Sequence, residues 1–443
     1  CGQFPRAAVR TLAGACLGIV AGPEDGLKMP RSVVEVEKGR LLVIDMGGWG
    51  KNAGRLLEIR LGGGSGHKVT TLAKGLDRPN GLVLGPDGKV YVGEAARIWR
   101  FDPRRPAIER EIVIDGLPDK GRHPLKTFVF DRDGNMIVNE GAPSDRCETG
   151  SGSSKSVDYP CRAVEDPRPE AALWLLTFDK PGGVMKSFTP IARGLRNSMA
   201  IAVAPQSGLI VQGENSIDFK PEDSPPEELN VIVQGAHYGW PYCTGNGDVT
   251  PEYRGLVKSC AKYTKPEVLV PAHGAPLGML YYQGKALPQL AGKLIVALHG
   301  YRDNGHRILA YDVASDGRPI APQGGGVRFP LEIVSGWDAQ PGAGPMGSPV
   351  AISEGLDGQI WLAEDKNRTI MVLMAGESVA RRAGGSAPLS MVVSAAPAGW
   401  DRLYGKLRPV CGQCHLEFQP GAAKAWQQMA RKGWTDPADP AAS

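Results

Sequence analysis

The sequence predicts an all-β protein, a six-bladed β-propeller, followed by a short C-terminal helical segment. Three observations carry that prediction. The 443 residues include 59 glycines and 37 prolines, too many for a helical protein, while 42% hydrophobic and 22% charged residues are ordinary for a folded one. No stretch before residue 390 carries a long apolar stripe at helical period. One unit also recurs six times: an approach bearing Pro or Asn, a short apolar run, a Gly-centred turn and a second apolar run.

The first copy runs through Met29-Pro30-Arg31-Ser32-Val33-Val34-Glu35-Val36, turns at Gly39 and returns through Leu41-Leu42-Val43-Ile44-Asp45. The second is Arg78-Pro79-Asn80-Gly81-Leu82-Val83-Leu84, then Pro86-Asp87-Gly88, then Val90-Tyr91-Val92. The third leads from Lys126 through Asp133-Gly134 to Met136-Ile137-Val138, and the fourth from Arg196-Asn197 through Gly208 to Leu209-Ile210-Val211. The fifth joins Leu277-Gly278 to Leu294-Ile295-Val296, and the sixth joins Ser348-Pro349 through Asp357-Gly358 to Ile360-Trp361-Leu362. Short β-rich runs bounded by turn chemistry read as strands. Six such units fit a propeller, whose radial packing protects strand edges and whose central channel offers a site at one mouth. The expected boundaries are an N-terminal extension at 1–27, the propeller at 28–374, an Ala/Gly/Ser/Arg-rich linker at 375–388 and a second small unit at 389–443.

Charge excludes two classes of partner. The 51 basic and 47 acidic side chains alternate and leave a net charge of +4, without the basic stripe that nucleic acid or anionic lipid requires. The most apolar stretch, residues 11–21, is shorter than the roughly 18 residues of a membrane span. Cys1 in place of Met points to a removed export signal, and a Cys-Gly start also suits a lipid anchor at Cys1. The cysteines fall into local couples: Cys1/Cys16, Cys147/Cys161, Cys243/Cys260 and Cys411/Cys414. The first three read as loop staples in an oxidising, periplasmic or other exported compartment, with nearest-neighbour bridging preferred among the possible pairings. Insertions at 145–169, 219–226 and 242–266 interrupt the repeat. Two of them carry a couple, as stapled binding loops would.

Cys411-Gly412-Gln413-Cys414-His415 is the C-x-x-C-H pattern of covalent haem attachment, in which two thioethers clamp the porphyrin and His415 reaches the iron. Residues 422–431 read as helical. Only Met429 follows as a second axial ligand, so the cytochrome c-like unit reads as truncated.

His123, in Asp119-Lys120-Gly121-Arg122-His123-Pro124, stands just before the first strand of a repeat, where a propeller projects residues into the channel mouth. A neutral imidazole there can accept a hydroxyl proton. Arg196-Asn197 and Arg78-Pro79-Asn80 occupy the equivalent point of their own repeats, and an Arg so placed can clamp a carboxylate or stabilise charge developing on a carbonyl. The stretch Glu214-Asn215-Ser216-Ile217-Asp218 and residues 222–228 offer the hard oxygens that calcium prefers, without EF-hand spacing.

Gly194-Leu195-Arg196-Asn197, Glu228-Leu229-Asn230 and Gly235-Ala236-His237-Tyr238-Gly239-Trp240-Pro241, supported by Pro276-Leu277-Gly278-Met279-Leu280-Tyr281-Tyr282 and His299-Gly300, resemble the soluble quinoprotein glucose/sorbosone (aldose sugar) dehydrogenases. That family consists of six-bladed propellers that bind pyrroloquinoline quinone (PQQ) and calcium, and the resemblance spans residues 28–374. It implies His123 as base and Arg196 beside the quinone carbonyl. Asn197, Arg78, His299 and Arg302 become cofactor contacts, Asn215 and Ser216 calcium ligands, and Glu227 and Glu228 a neighbouring metal site. It also implies a sugar, aldose or related alcohol or aldehyde as substrate; independently, the haem motif at Cys411, Cys414 and His415 points to haem c, or another cytochrome, as electron acceptor. Three departures stand out: Pro124 follows the base, Gly347-Ser348-Pro349 lacks arginines often found there, and the Cys147/Cys161 insertion is unusual. A calcium-dependent propeller lactonase and a non-catalytic binding propeller are the alternatives.

Overall fold

A computed structural model describes residues 1–64, 66–150, 156–337 and 347–376. Six sheets, each with four principal antiparallel strands, follow one another along the chain, and two of them gain a two-residue edge strand: Ala236–His237 pairs parallel beside Met185–Arg193, and Arg10–Thr11 beside Leu331–Ser335. Blade 1 is Pro30–Glu37, Arg40–Asp45, Gly54–Leu61 and His67–Leu76. Blade 2 is Gly81–Leu84, Val90–Gly93, Arg97–Phe101 and Glu111–Asp115. Blade 3 is Phe128–Phe130, Met136–Glu140, Ala172–Phe178 and Met185–Arg193. Blade 4 is Ala200–Val203, Ile210–Glu214, Glu227–Val231 and Val268–Val270. Blade 5 is Pro276–Tyr281, Leu294–Leu298, Arg307–Tyr311 and Leu331–Ser335. Blade 6 takes three strands in order, Pro349–Glu354, Ile360–Glu364 and Thr369–Ala375, and its fourth, Ala15–Ala21, from the other end of the chain.

Each repeat read from the sequence is the innermost hairpin of one blade, because a tight Gly turn between apolar runs is what a two-strand return needs. In blade 3, Asp131 accepts the backbone N–H groups of Asp133 and Asn135, while Gly134 takes a φ of 80° that a side chain would resist. The sheets bury both faces. One hydrophobic cluster lies between each pair of neighbours: Leu42, Ile44, Val92 and Trp99 between blades 1 and 2, for example, and Tyr91, Phe128 and Val138 between blades 2 and 3. A smaller cluster of Met46, Leu125 and Met199, with Met29 and Leu277 against it, draws on blades 1, 3, 4 and 5. Those blades meet on the axis, so these side chains plug the channel.

The N-terminal segment differs from its expected role. Residues 1–27 are not an appendage: Ala15–Ala21 pairs along Thr369–Ala375, and Arg10–Thr11 adds to the edge of blade 5. A continuous apolar run, Ala15 to Ala21, is buried on both faces as an outer strand between two blades. Three disulfides form between nearest neighbours, Cys1–Cys16, Cys147–Cys161 and Cys243–Cys260. The Cys1 sulfur is bonded to Cys16, the partner expected for it within its local couple. Among the described residues the one α-helix is the short turn Arg162–Glu165, and no helix is long and apolar enough to cross a membrane. Residues 377–443, with the linker, Cys411, Cys414 and His415, lie outside the described residues.

Candidate active site at the channel mouth

In every blade the innermost strand starts, and the second strand ends, on the same face of the ring. Loops that enter an innermost strand therefore meet loops that follow a second strand. His123, Arg196, Asn197, Arg78, Asn215, Ser216, His299 and Arg302 all stand on such loops.

Arg196 is 3% exposed and its guanidinium is nearly saturated. Nε and Nη2 donate to Asp145 Oδ1 at 2.9 and 2.6 Å, Nη1 donates to the Asn215 carbonyl at 2.8 Å, and Nη2 reaches Asp218 at 3.3 Å. Four of the five guanidinium N–H groups are thus committed. Burial pushes the Asp145 carboxyl up, but the Arg196 and Arg122 charges outweigh it and hold the group below the usual carboxylate range. Asp145 is itself fixed: Trp240 Nε1 donates to its carbonyl at 2.9 Å, tying the distinctive Tyr-Gly-Trp-Pro block to the site.

His123 lies 2.7 Å from the Ala142 carbonyl through Nδ1. A carbonyl only accepts, so Nδ1 carries the proton and Nε2 keeps its lone pair. Burial, then the Arg196 and Arg122 charges, hold the imidazole well below its ordinary pKa, so it stays neutral. The close approach depends on Gly141, where a Cβ would stand 2.5 Å from the His123 carbonyl oxygen and 2.6 Å from its Cβ.

A second cluster joins blades 5, 6 and 1. His299 Nε2 is 3.0 Å from Asp365 Oδ1, and Arg31 Nη1 donates to Asp365 Oδ2 at 2.6 Å. Arg31 Nε donates to Asn80 at 3.0 Å, and Asn80 donates to Thr127 at 3.0 Å, carrying the chain of contacts into blades 2 and 3. Burial opposes ionisation of Asp365, yet His299 and Arg31 bring its pKa down to about 2.

The other expected residues separate. Arg78 pairs with Asp77 and Asp119 and donates to the Asp119 carbonyl, bracing the loop that carries His123. Arg302 donates to the carbonyls of Phe219, Lys220 and Pro221, clasping the carboxylate loop. Asn215 donates to the Asn197 and Pro276 carbonyls, and Ser216 N–H donates to Glu227. Glu228 accepts from Gly245 N–H and Asn230. Burial pushes Glu227 to about 8 and Glu228 to about 7. Among the described residues no three His, Cys, Asp or Glu side chains converge as a metal group, so a cation here would rely on backbone or amide oxygens. Asn197 Oδ1 is among the described polar atoms that are buried with no hydrogen bond.

Sequence reading missed Asp145, Arg31 and Asp365. Arg31 was visible beside Pro30 at the repeat-equivalent entry point. Asp365 follows Glu364, one of a series of acids (Asp45, Glu94, Glu140, Glu214, Glu364) that end a second strand or, for Glu94, directly follow one, a regularity present in the repeat.

Comparison with known proteins adds the following. A pyrroloquinoline quinone-dependent sugar dehydrogenase of Hypocrea jecorina is 26% identical over 253 residues, 49% of this chain and 54% of that protein. An uncharacterized protein of Borreliella burgdorferi is 25% identical over 271 residues, 57% of this chain and 66% of that one. The chain thus spans between 54% and 66% of the length of these relatives. Among solved structures, a Trichoderma reesei carbohydrate-active enzyme of family AA12 superposes with a TM-score of 0.67 at 20% identity, over 84% of this chain and 99% of that one. The PQQ domain of a Coprinopsis cinerea pyranose dehydrogenase gives 0.64 at 19% identity, over 84% and 98%. The PQQ-bound aldose sugar dehydrogenase of Streptomyces coelicolor gives 0.54 at 18% identity, over 82% and 99%. These likenesses show the propeller fold. The TrAA12-like family model matches residues 18–376, from the closing strand to the end of blade 6, and the chain belongs to that family.

Proposed function

We propose that this protein is a PQQ-dependent dehydrogenase that oxidises a sugar, aldose or related alcohol or aldehyde. The observation that carries the reading is His123 held neutral, with the Nε2 lone pair free, on the same rim as a fixed Arg196 charge. His123 Nε2 accepts the substrate hydroxyl proton, and Arg196, immobilised by Asp145, supplies a preorganised positive charge with one Nη1 N–H uncommitted. Bound PQQ supplies the acceptor for the hydride. The residues fit it: Asn197 Oδ1 lacks a partner, and Arg31 and His299 bring donors suited to a multiply carboxylated ring system. Calcium at the Asn215–Ser216 segment, with Glu227 and Glu228 at a neighbouring site, would complete the charge balance. Arg78 and Arg302 then brace the mouth as loop supports.

The plug of Met29, Met46, Leu125, Met199 and Leu277 on the axis favours this reading over the lactonase, which needs Asp, Glu and Asn donors down the channel. The three disulfides favour a periplasmic or exported setting. Cys411, Cys414 and His415 supply a covalently held haem c as electron acceptor, which a pyridine haemochrome spectrum checks. The deciding experiment titrates the protein with PQQ and calcium and then follows artificial-dye reduction across a panel of sugars and alcohols. Saturable binding with substrate-dependent reduction supports the dehydrogenase. No binding at micromolar PQQ removes it.

A further inference from the structure

The acids that end or directly follow the second strands share one task in four blades. Asp45 accepts the backbone N–H groups of Lys28 and Met29 at 3.1 and 2.7 Å. Glu94 accepts from Asp77 at 2.6 Å, Glu214 from Arg196 at 2.6 Å, and Glu364 from Ser348 at 2.8 Å. Each holds the loop that enters the innermost strand directly by its backbone.

Blade 3 is wired differently. Its entering loop runs from the end of Glu111–Asp115 to the start of Phe128–Phe130 and carries His123. Glu140, the equivalent acid, takes the Lys126 ammonium at 2.9 Å, and both side chains are buried, at 1% and 2% exposure. Lys126 Nζ also donates to the Pro118 carbonyl at 2.6 Å and the Pro124 carbonyl at 3.3 Å, on either side of His123. Proline carbonyls at these two points fix the loop at both shoulders. On the other side Gly141, next to Glu140, is the residue against which the His123 backbone rests. One buried cation therefore ties the loop to the strand that presents Ala142 to the imidazole.

We infer that the Lys126–Glu140 pair is a positioning staple for His123, standing where four other blades use a direct backbone cap and where the entering loop must hold an imidazole in register. The inference rests on the reading of His123 as the base. Buried ion pairs are costly to desolvate and hydrophobic replacements often fold as well, so stability alone does not account for this one. A loop displacement of about 1 Å is enough to cost roughly 10²-fold in rate.

The test uses the double variant K126M/E140Q, which removes both buried charges together and so avoids the lone buried charge that unfolds single variants. In the PQQ- and calcium-loaded enzyme, kcat falls about 10–100-fold with KM and PQQ affinity near wild type. Adding His123→Ala to the double variant then costs less than it does alone, because the base is already misplaced. Amide hydrogen exchange at residues 119–123 and 125 rises in the double variant, with or without cofactor. Unchanged exchange or unchanged kcat in the double variant overturns the staple. If His123→Ala alone leaves kcat intact while exchange rises in the double variant, the base reading fails and the loop staple stands.

Discussion

Two trios of the same residue types stand at the rim: His123, Asp145 and Arg196 on the blade 3–4 side, and His299, Asp365 and Arg31 on the blade 5–6–1 side. In the first, Asp145 goes to Arg196 and Arg146, and His123 is left with a neutral carbonyl. In the second, Asp365 takes both Arg31 and His299. The placement of one carboxylate thus separates a proton acceptor from a charged anchor. An imidazole that is buried and crowded by Arg196 and Arg122 stays neutral, whereas a carboxylate shared between two donors stays ionised and holds both.

The comparison breaks most directly at His123. His123→Ala is expected to lower kcat by about 10²–10⁴-fold while PQQ affinity and melting temperature hold, because a positioned base contributes that much. Steady-state dye reduction beside a PQQ titration checks both halves.

Asp365→Asn strikes the other trio. It leaves Arg31 buried without its carboxylate, a change that typically costs about 3–5 kcal/mol. Urea unfolding should show the loss and PQQ titration a weaker cofactor, with kcat at saturating PQQ largely retained. A variant that lost kcat and kept PQQ affinity would erase the distinction between the two trios.

The smallest effect sharpens the contrast through pH. The folded pKa of His123 lies well below 6.5, so the acid limb of kcat/KM should fall below the ordinary histidine range, with a plateau from about pH 6 to 8. The sign for stability follows. The folded state binds fewer protons than the unfolded chain, so the contribution of this group is present above the unfolded pKa and is lost as pH falls. His123→Ala should therefore soften the decline in melting temperature between about pH 7 and 5 relative to wild type.

Much of this architecture was legible in the sequence because it is local. Asp133-Gly134 and Asp357-Gly358 mark turns, the flanking apolar runs mark strands, and six copies of that pairing define the ring. The entry-loop residues His123, Arg196 and Asn197 were legible for the same reason, since repeat equivalence puts them on one face. The contacts that give those residues their chemistry were not. Arg196 meets Asp145 across 51 positions and Arg31 meets Asp365 across 334, and no spacing rule links such pairs before the ring closes. Residues 1–27 misled for a related reason: a strand whose partner lies at 369–375 has no hairpin neighbour to announce it.

That split blade has a consequence for how the protein is made. Its outer strand precedes the five other blades in the chain, and its three inner strands follow them. Ala15–Ala21 must therefore wait, apolar and unpaired, until five complete sheets have been laid down, and such long-range pairing is the slow step of folding. Cys16, within that strand, can be drawn to Cys1 meanwhile, and that early loop shields part of a sticky edge until the ring is ready to receive it.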